Sequence, residues 1–464
     1  MYGEGLVWSF TNSGIVPGSE GLNPRSEKLE REHLKGVSAT HTEVKERPPP
    51  RLVLAFYYPW YGNPAGPSHR WFHWNNPPGV AYESIAAATD YPLMGPYDSW
   101  DARVVKAHIA MAKAAGIDGF ICSWWGINTF EDIAFARILN VAKKENFYVT
   151  IYYESVRELS EDDMVRELSY VLKKYSSHPA FLKIDGKPAI FIYAVETKGR
   201  SLAFWRRVLE RVGEKTNIDA VYIGDTYNLS FLTVFEGLHT YNPIWIENHN
   251  EVYRELSEKV KSFAPLSGGL RRFWCATVAP GYDDRKIRKP GKYVSRREGA
   301  YYEKTWRAAI DSGADLVLIC TWNEWHEGTE IEPSREYGFK YLDLTRRFAE
   351  EYKNITLPLA PAPELSLKLE ASESETIITL ENVGVVPAVA VELDIKGGLF
   401  LLDTYSLPVN SSRTAAFIPY LGPGERVTVH AKPMGEAAEV EVKVVAWSPT
   451  GARAVFKTEP LRLK

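Results

Sequence analysis

Two glutamates three residues apart, Glu324 and Glu327, stand in the run TWNEWHEGTEIEP, flanked by Trp322 and Trp325. Two carboxyls in one pocket can divide acid from base work: one donates a proton, the other accepts one or attacks. Breaking a glycosidic bond needs that division. Indole neighbours keep water from a carboxyl and raise its pKa, so one of a pair stays protonated near neutrality. In an extended strand, positions i and i+3 point to opposite faces. On a helical turn their Cβ atoms come within about 5–6 Å. The pair can therefore act together only where the chain turns at about Glu324. A carboxyl separation of about 5–5.5 Å falls in the range for retention of anomeric configuration. The competing reading is two solvated acids at a helix start. It loses because the pair follows an apolar run and sits between two Trp.

The elements that must position this pair are legible upstream. Eight short apolar runs, at 52–57, 117–123, 148–153, 189–194, 220–224, 237–241, 273–278 and 315–320, read as strands rich in β-branched and aromatic residues. Near-continuous apolar runs suit a parallel sheet covered on both faces. Helical signals alternate with them. Val105, Ile109 and Ala112 share a face, with Asp101 as N-cap and Gly116 as stop. Met164, Leu168, Val171 and Tyr175 repeat behind a Ser160–Asp163 capping box. Tyr302, Trp306 and Ala309 share a third face, ending near Gly313. Eight strands alternating with helices predict a (β/α)8 barrel over 51–356. The link between the fifth and sixth strands, 227–234, is barely long enough for a helix.

Active sites of such barrels lie at the C-terminal ends of the strands. Following each run to its end collects Tyr58, Trp125, Glu154, Tyr193, Asp225, Tyr241, then Tyr282 with Asp283 and Asp284, and finally the two Glu. Sugar-lining candidates on this rim and its first loop are Tyr58, Trp60, His73, Trp74, Tyr282 and Trp322. Aromatic rings with polar edges suit a surface that is partly apolar and partly wet. Glu154 reads either as a third site carboxylate or as a salt-bridge partner for an Arg beneath the rim. His69 and His73 lack further converging ligands, so no metal is expected, and no cofactor either. His326, between the two Glu, reads as an orienting group, and Asp98 and Asp101 around Trp100 as caps.

The chain has 464 residues, too many for one compact core. Residues 1–50 read as a polar extension with a short helix at 25–35, closed by three prolines. Beyond a Pro-rich linker at 357–364, residues 365–464 alternate strictly: Val440, Val442, Val444 and Ala446 face one way, Glu441 and Lys443 the other. Leu365, Leu367 and Leu369 do the same, as do Val427 and Val429. About seven such runs predict an antiparallel β-sandwich. Its aromatics form no stripe, so it reads as a brace more than a sugar-binding module. A net charge of −4 argues against a nucleic-acid partner. Three dispersed cysteines in apolar runs do not make a disulfide framework. No signal peptide or membrane span is read, so the expected compartment is cytoplasmic; a start further upstream would make it extracellular.

Several runs resemble glycoside hydrolase family 99, the endo-α-1,2-mannosidases and mannanases. They are AFYYPWYGNP, HWNNP, YPLMGPYDSWD, IDGFICSWWG, the YYE ending at Glu154, PGYDDRKIR, REGAYYEKTW and WNEWHEGTEIEP, in family order over 52–344. The resemblance implies a (β/α)8 barrel and endo-acting, retaining cleavage of α-mannoside chains. It implies that Glu324 deprotonates the substrate 2-hydroxyl, which attacks the anomeric carbon to give a 1,2-anhydro sugar. It also implies that Glu327 protonates the leaving oxygen and later activates water. Trp125, Glu154, Tyr241 and Arg288 are sugar-binding positions by the same resemblance. GLHTYNP at 237–243 matches only loosely, and the loop ahead of Tyr91 diverges. Reaction type is thus better fixed than linkage or sugar. An α-glucan hydrolase, and a carbohydrate-binding protein that has lost catalysis, stay as alternatives.

Overall fold

Each of the eight apolar runs forms a strand: β1 (Leu52–Tyr57), β2 (Gly119–Trp124), β3 (Tyr148–Glu154), β4 (Lys187–Tyr193), β5 (Val221–Asp225), β6 (Gly237–His239), β7 (Phe273–Val278) and β8 (Leu316–Ile319). Neighbours pair in parallel and in chain order, and β1 also pairs with β8, which closes the sheet into a barrel. This is a computed structural model. It describes residues 51–461 except 76–77, 82–83, 264–271, 372–374, 397–399, 404–407, 411 and 434–439. The extension expected over 1–50, with its helix at 25–35, lies outside the described residues.

Helices α1 (Ala102–Ala114), α2 (Phe130–Lys144), α3 (Glu161–Tyr175), α4 (Leu202–Thr216), α5 (His249–Phe263), α6 (Ala300–Asp311) and α7 (Lys340–Lys353) alternate with the strands. Their starts follow from local chemistry. Asp101 accepts the Arg103 N–H at the head of α1, and Ser160 and Asp163 form a reciprocal capping box on α3. Gly116 takes the left-handed φ of +79° that ends the α1 region, a conformation glycine adopts without a Cβ clash. The faces expected to be apolar are buried: Val105, Ile109 and Ala112 on α1, and Met164, Leu168, Val171 and Tyr175 on α3. The short link between β5 and β6 holds only the 3₁₀ turn Leu229–Thr233.

β6 stops at His239, two residues short of the expected strand end. The reason is Asp225, whose carboxylate takes the Tyr241 N–H at 2.9 Å and the Ala194 N–H at 3.0 Å in place of a ladder partner. Asp98 also differs from expectation. It caps no helix but accepts the N–H groups of Ser68 and Trp100, both at 2.8 Å, and so pins the loop after β1. Below the rim, Phe56, Tyr152, Phe191 and His239 fill the barrel, with Phe56 and Tyr152 4.6 Å apart and Phe191 and His239 5.9 Å apart between ring centres. This apolar floor pushes the His239 imidazole down to about 3 by burial.

Two four-stranded antiparallel sheets follow the barrel and share an apolar core. One orders Leu365–Ala371, Thr376–Asn382, Arg426–Pro433 and Phe400–Asp403; the other orders Ala415–Leu421, Ala388–Lys396, Glu441–Trp447 and Arg453–Lys457. Val440, Val442, Val444 and Ala446 are all fully buried in that core, as their alternation required. Trp447 packs on Phe339 of the barrel region with ring centres 5.5 Å apart, and Lys106 of α1 lies 5.3 Å from the Tyr420 ring. Among the described residues, no helix is long and apolar enough to cross a membrane.

Candidate active site

The segment after β8 folds back on itself. Thr321 N–H donates to the Thr329 carbonyl at 2.9 Å, and Ile331 N–H to the Thr321 carbonyl at 3.0 Å. Inside this loop Glu324 N–H is held by Thr321 Oγ1 at 2.8 Å, and Glu327 N–H reaches the Glu324 carbonyl at 3.3 Å. The chain thus turns at Glu324, as joint action of the two carboxyls requires. Asn323 locks the turn to β1, accepting Tyr58 N–H at 2.7 Å and donating to the Tyr58 carbonyl at 3.1 Å. Arg296 clamps the far side, donating to the Glu330 carbonyl at 2.9 Å and the Gly328 carbonyl at 3.3 Å.

The two carboxyls differ in surroundings. Glu324 is buried, and its nearest donor is the His326 N–H at 3.2 Å. Burial first, and the charge of Glu327 second, hold its pKa well above the carboxylate range. Glu327 is also raised by burial, but Arg288 opposes this from 2.9 Å. Arg288 is itself held by Asp284 and by the Tyr282 hydroxyl, both at 2.7 Å. The negative charge therefore favours Glu327 and the proton favours Glu324.

Across the pocket, Glu154 accepts the Ser123 hydroxyl at 2.7 Å, and Ser123 accepts the Trp125 indole N–H at 2.9 Å. Burial pushes Glu154 up to about 8. Arg157 makes no ion pair with the Glu154 carboxylate: its guanidinium pairs with Glu167 at 2.7 Å and reaches the backbone carbonyl of Glu154 at 3.2 Å. Tyr58 ties the site together. Its phenol donates to Tyr241, and it lies in the field of Glu154, Glu324 and Glu327. Trp60 stacks on His73 at 3.9 Å, and His73 on His326 at 4.6 Å, forming one wall.

The structure thus brings Tyr58, Trp60, His73, Trp125, Glu154, Tyr241, Tyr282 and Arg288 around the pair. It does not bring Trp74 or Trp322. Trp74 is fully buried, stacked on Tyr61 at 3.9 Å with its N–H on the Tyr97 carbonyl at 2.7 Å. Trp322 is fully buried against His108 of α1 and Phe120 of β2, at 5.4 and 5.3 Å between ring centres. Side chains along this stretch alternate between pocket and helix layer, and Trp322 falls on the helix side. His69 is exposed in its loop. Asp284 and Asn323, both at strand ends, act as positioning groups, on Arg288 and on Tyr58; Ser123, which residue type did not mark, is a third, and its signal was proximity to a strand end. Tyr193, also at a strand end, packs edge-on against Tyr241 with ring centres 5.5 Å apart and so belongs to the pocket.

The model of glycosyl hydrolase family 99 matches residues 50–360. The chain belongs to this family. It is therefore a glycoside hydrolase, and its barrel carries the family's endo-α-mannosidase-like architecture. The rat glycoprotein endo-alpha-1,2-mannosidase is 28% identical over 392 residues, covering 71% of this chain and 83% of that protein. The Xenopus laevis glycoprotein endo-alpha-1,2-mannosidase is 27% identical over 418 residues, 76% of this chain and 89% of that protein. The solved GH99 endo-alpha-mannosidase from Bacteroides thetaiotaomicron matches this family 99 chain at a TM-score of 0.54 and 27% identity, over 65% of this chain and 97% of that one.

Proposed function

We propose that this enzyme cleaves internal α-mannosidic linkages, α-1,2 above others, with retention of configuration. The turn that sets Glu324 and Glu327 facing one pocket, each carboxyl raised and one held by Arg288, carries the reading. Relatives named as endo-alpha-1,2-mannosidases support the substrate class. In the proposed route Glu324 takes the proton of the sugar 2-hydroxyl, and that oxygen bonds to the anomeric carbon. The bond to the leaving oxygen breaks, and Glu327 supplies that oxygen with a proton. Water, deprotonated by Glu327, then opens the 1,2-anhydro ring, and Glu324 returns the proton to the 2-oxygen. Arg288, at 2.9 Å from Glu327, favours the reverse placement of the proton. Substrate must therefore move the proton, and hydroxyls that draw Arg288 from Glu327 would do so. The sandwich serves as a brace, since Trp447 and Tyr420 are engaged with the barrel side.

The test is digestion of defined α-1,2-mannosides, with an α-1,3-glucan and β-linked controls, reading the anomer of the first product by NMR. Retained α-product from the mannoside is expected; an inverted product, or cleavage of the glucan alone, rejects the reading. Glu324→Gln and Glu327→Gln should each lower turnover about 1,000-fold or more while oligosaccharide binding persists. Equal turnover in the variants would mean that chemistry lies elsewhere.

A further inference from the structure

Trp245 is the only exposed tryptophan among the described residues, at 49%. It closes the 3₁₀ turn Pro243–Trp245, four residues beyond the pocket residue Tyr241. The ammonium of Lys292 lies 4.6 Å from the centre of its ring. Lys292 is not a free surface lysine. Its backbone is clamped by Asp284, with Lys292 N–H on Asp284 Oδ1 at 2.5 Å and Asp284 N–H on the Lys292 carbonyl at 3.2 Å. The other Asp284 oxygen holds Arg288 at 2.7 Å, and Arg288 reaches Glu327 at 2.9 Å. A continuous run of contacts therefore joins the open indole to one carboxyl of the pair.

Barrel order places this feature. Trp245 follows β6 and Lys292 follows β7, while Trp125 follows β2 and Glu154 ends β3. In a closed ring of eight strands those two pairs lie opposite one another. An aromatic residue thus follows a strand on each of two opposite sides of the barrel rim, and the carboxyl pair follows β8, next to β7 in the ring. An indole face takes the C–H face of a pyranose, and an ammonium beside it donates to ring hydroxyls.

We propose that Trp245 and Lys292 form a glycan subsite that binds a sugar on the leaving-group side of the scissile bond. This rests on the hydrolase reading, because the leaving-group side is the side of Glu327. Trp245 lies two residues beyond GLHTYNP, the run at 237–243 that departs from the family pattern, so the subsite would set which extended glycans this chain prefers.

The experiment compares an α-1,2-linked mannotetraose, which extends past the scissile bond, with α-mannobiosyl fluoride, which does not. Trp245→Ala should lower kcat/KM on the tetraose about tenfold, mainly through KM, and affect the fluoride far less. Lys292→Ala should act in the same sense and more weakly. Tyr148→Ala, an exposed aromatic at the opposite end of the barrel, should match wild type on both. Equal rates on the tetraose for Trp245→Ala and wild type, or equal losses on both substrates, overturn the subsite. Titration of the tetraose into the Glu324→Gln chain, with and without Trp245→Ala, separates the two readings. If wild type cleaves neither substrate, the hydrolase assignment to mannosides falls. Weaker tetraose binding on loss of the indole then still supports the subsite, and unchanged or absent binding overturns it.

Discussion

Arg288→Met removes the guanidinium 2.9 Å from Glu327 and keeps a long apolar side chain in its place. Two unit charges about 4 Å apart at an effective dielectric of about 20 interact by roughly 4 kcal/mol. The Arg288 side chain is 43% exposed, and solvent and salt reduce the interaction to about 1–2 kcal/mol. That corresponds to about one pH unit in the titration of Glu327. The cation favours the charged carboxylate, so without it the proton stays on to higher pH. Two neighbouring carboxyls titrate as a pair, and the active form holds one proton between them. The first proton leaves from the side of Arg288. The acid limb of the kcat/KM profile should therefore move up by about one pH unit in the variant. The alkaline limb, set mainly by Glu324, which Arg288 influences only through space, should move up less. The assay is the full pH profile on a defined α-mannoside. Limb positions are read separately from the height of the profile, which lost sugar contacts will also lower. An acid limb that stays in place or moves down refutes the role given to Arg288.

Ser123→Ala frees the Trp125 indole from its 2.9 Å anchor; KM should rise about fivefold with kcat nearly kept, since one neutral hydrogen bond contributes about 1 kcal/mol. An unchanged KM in steady-state kinetics would mean that the anchor is idle. Trp322→Ala should cost about 3–5 kcal/mol in urea unfolding, as buried Trp truncations do, and a normal stability with a raised KM would return Trp322 to the pocket. Glu154 titrates at about 8 in the folded chain and about 4.3 unfolded. Between those values the unfolded chain releases its proton first, so stability falls as pH rises. Glu154→Gln should remove that slope, and its melting-temperature advantage over wild type should grow from about pH 5 to about pH 8; a constant difference would argue against a neutral Glu154. Ser160→Ala should cost about 1 kcal/mol of stability through the lost α3 cap, with activity unchanged.

Local rules carried much of this protein. Apolar runs of strand length, the Ser160–Asp163 box and the Asp101 cap are short-range patterns, and each is satisfied by neighbours within a few residues. The closing of eight strands in chain order follows from the alternation itself, because parallel neighbours need a crossover between them. The rim rule then gathered Tyr58, Trp125, Glu154, Tyr241 and the Glu pair from strand ends alone. What needed the tertiary structure was orientation and partnership. Trp322 and Trp325 stand on either side of Glu324 along the chain, yet Trp322 packs on His108 of α1, more than 200 positions away. Nothing along the chain fixes which carboxylate Arg157 pairs with, and in the fold that partner is Glu167 and not Glu154. The unequal state of Glu324 and Glu327 was likewise undecided, because it depends on Arg288, a residue from the loop after β7 held in place by Asp284. Chain pattern specifies which residues reach a rim, since burial and hydrogen bonding act locally. Charge and contact depend on distance in space, and only the closed barrel sets those distances.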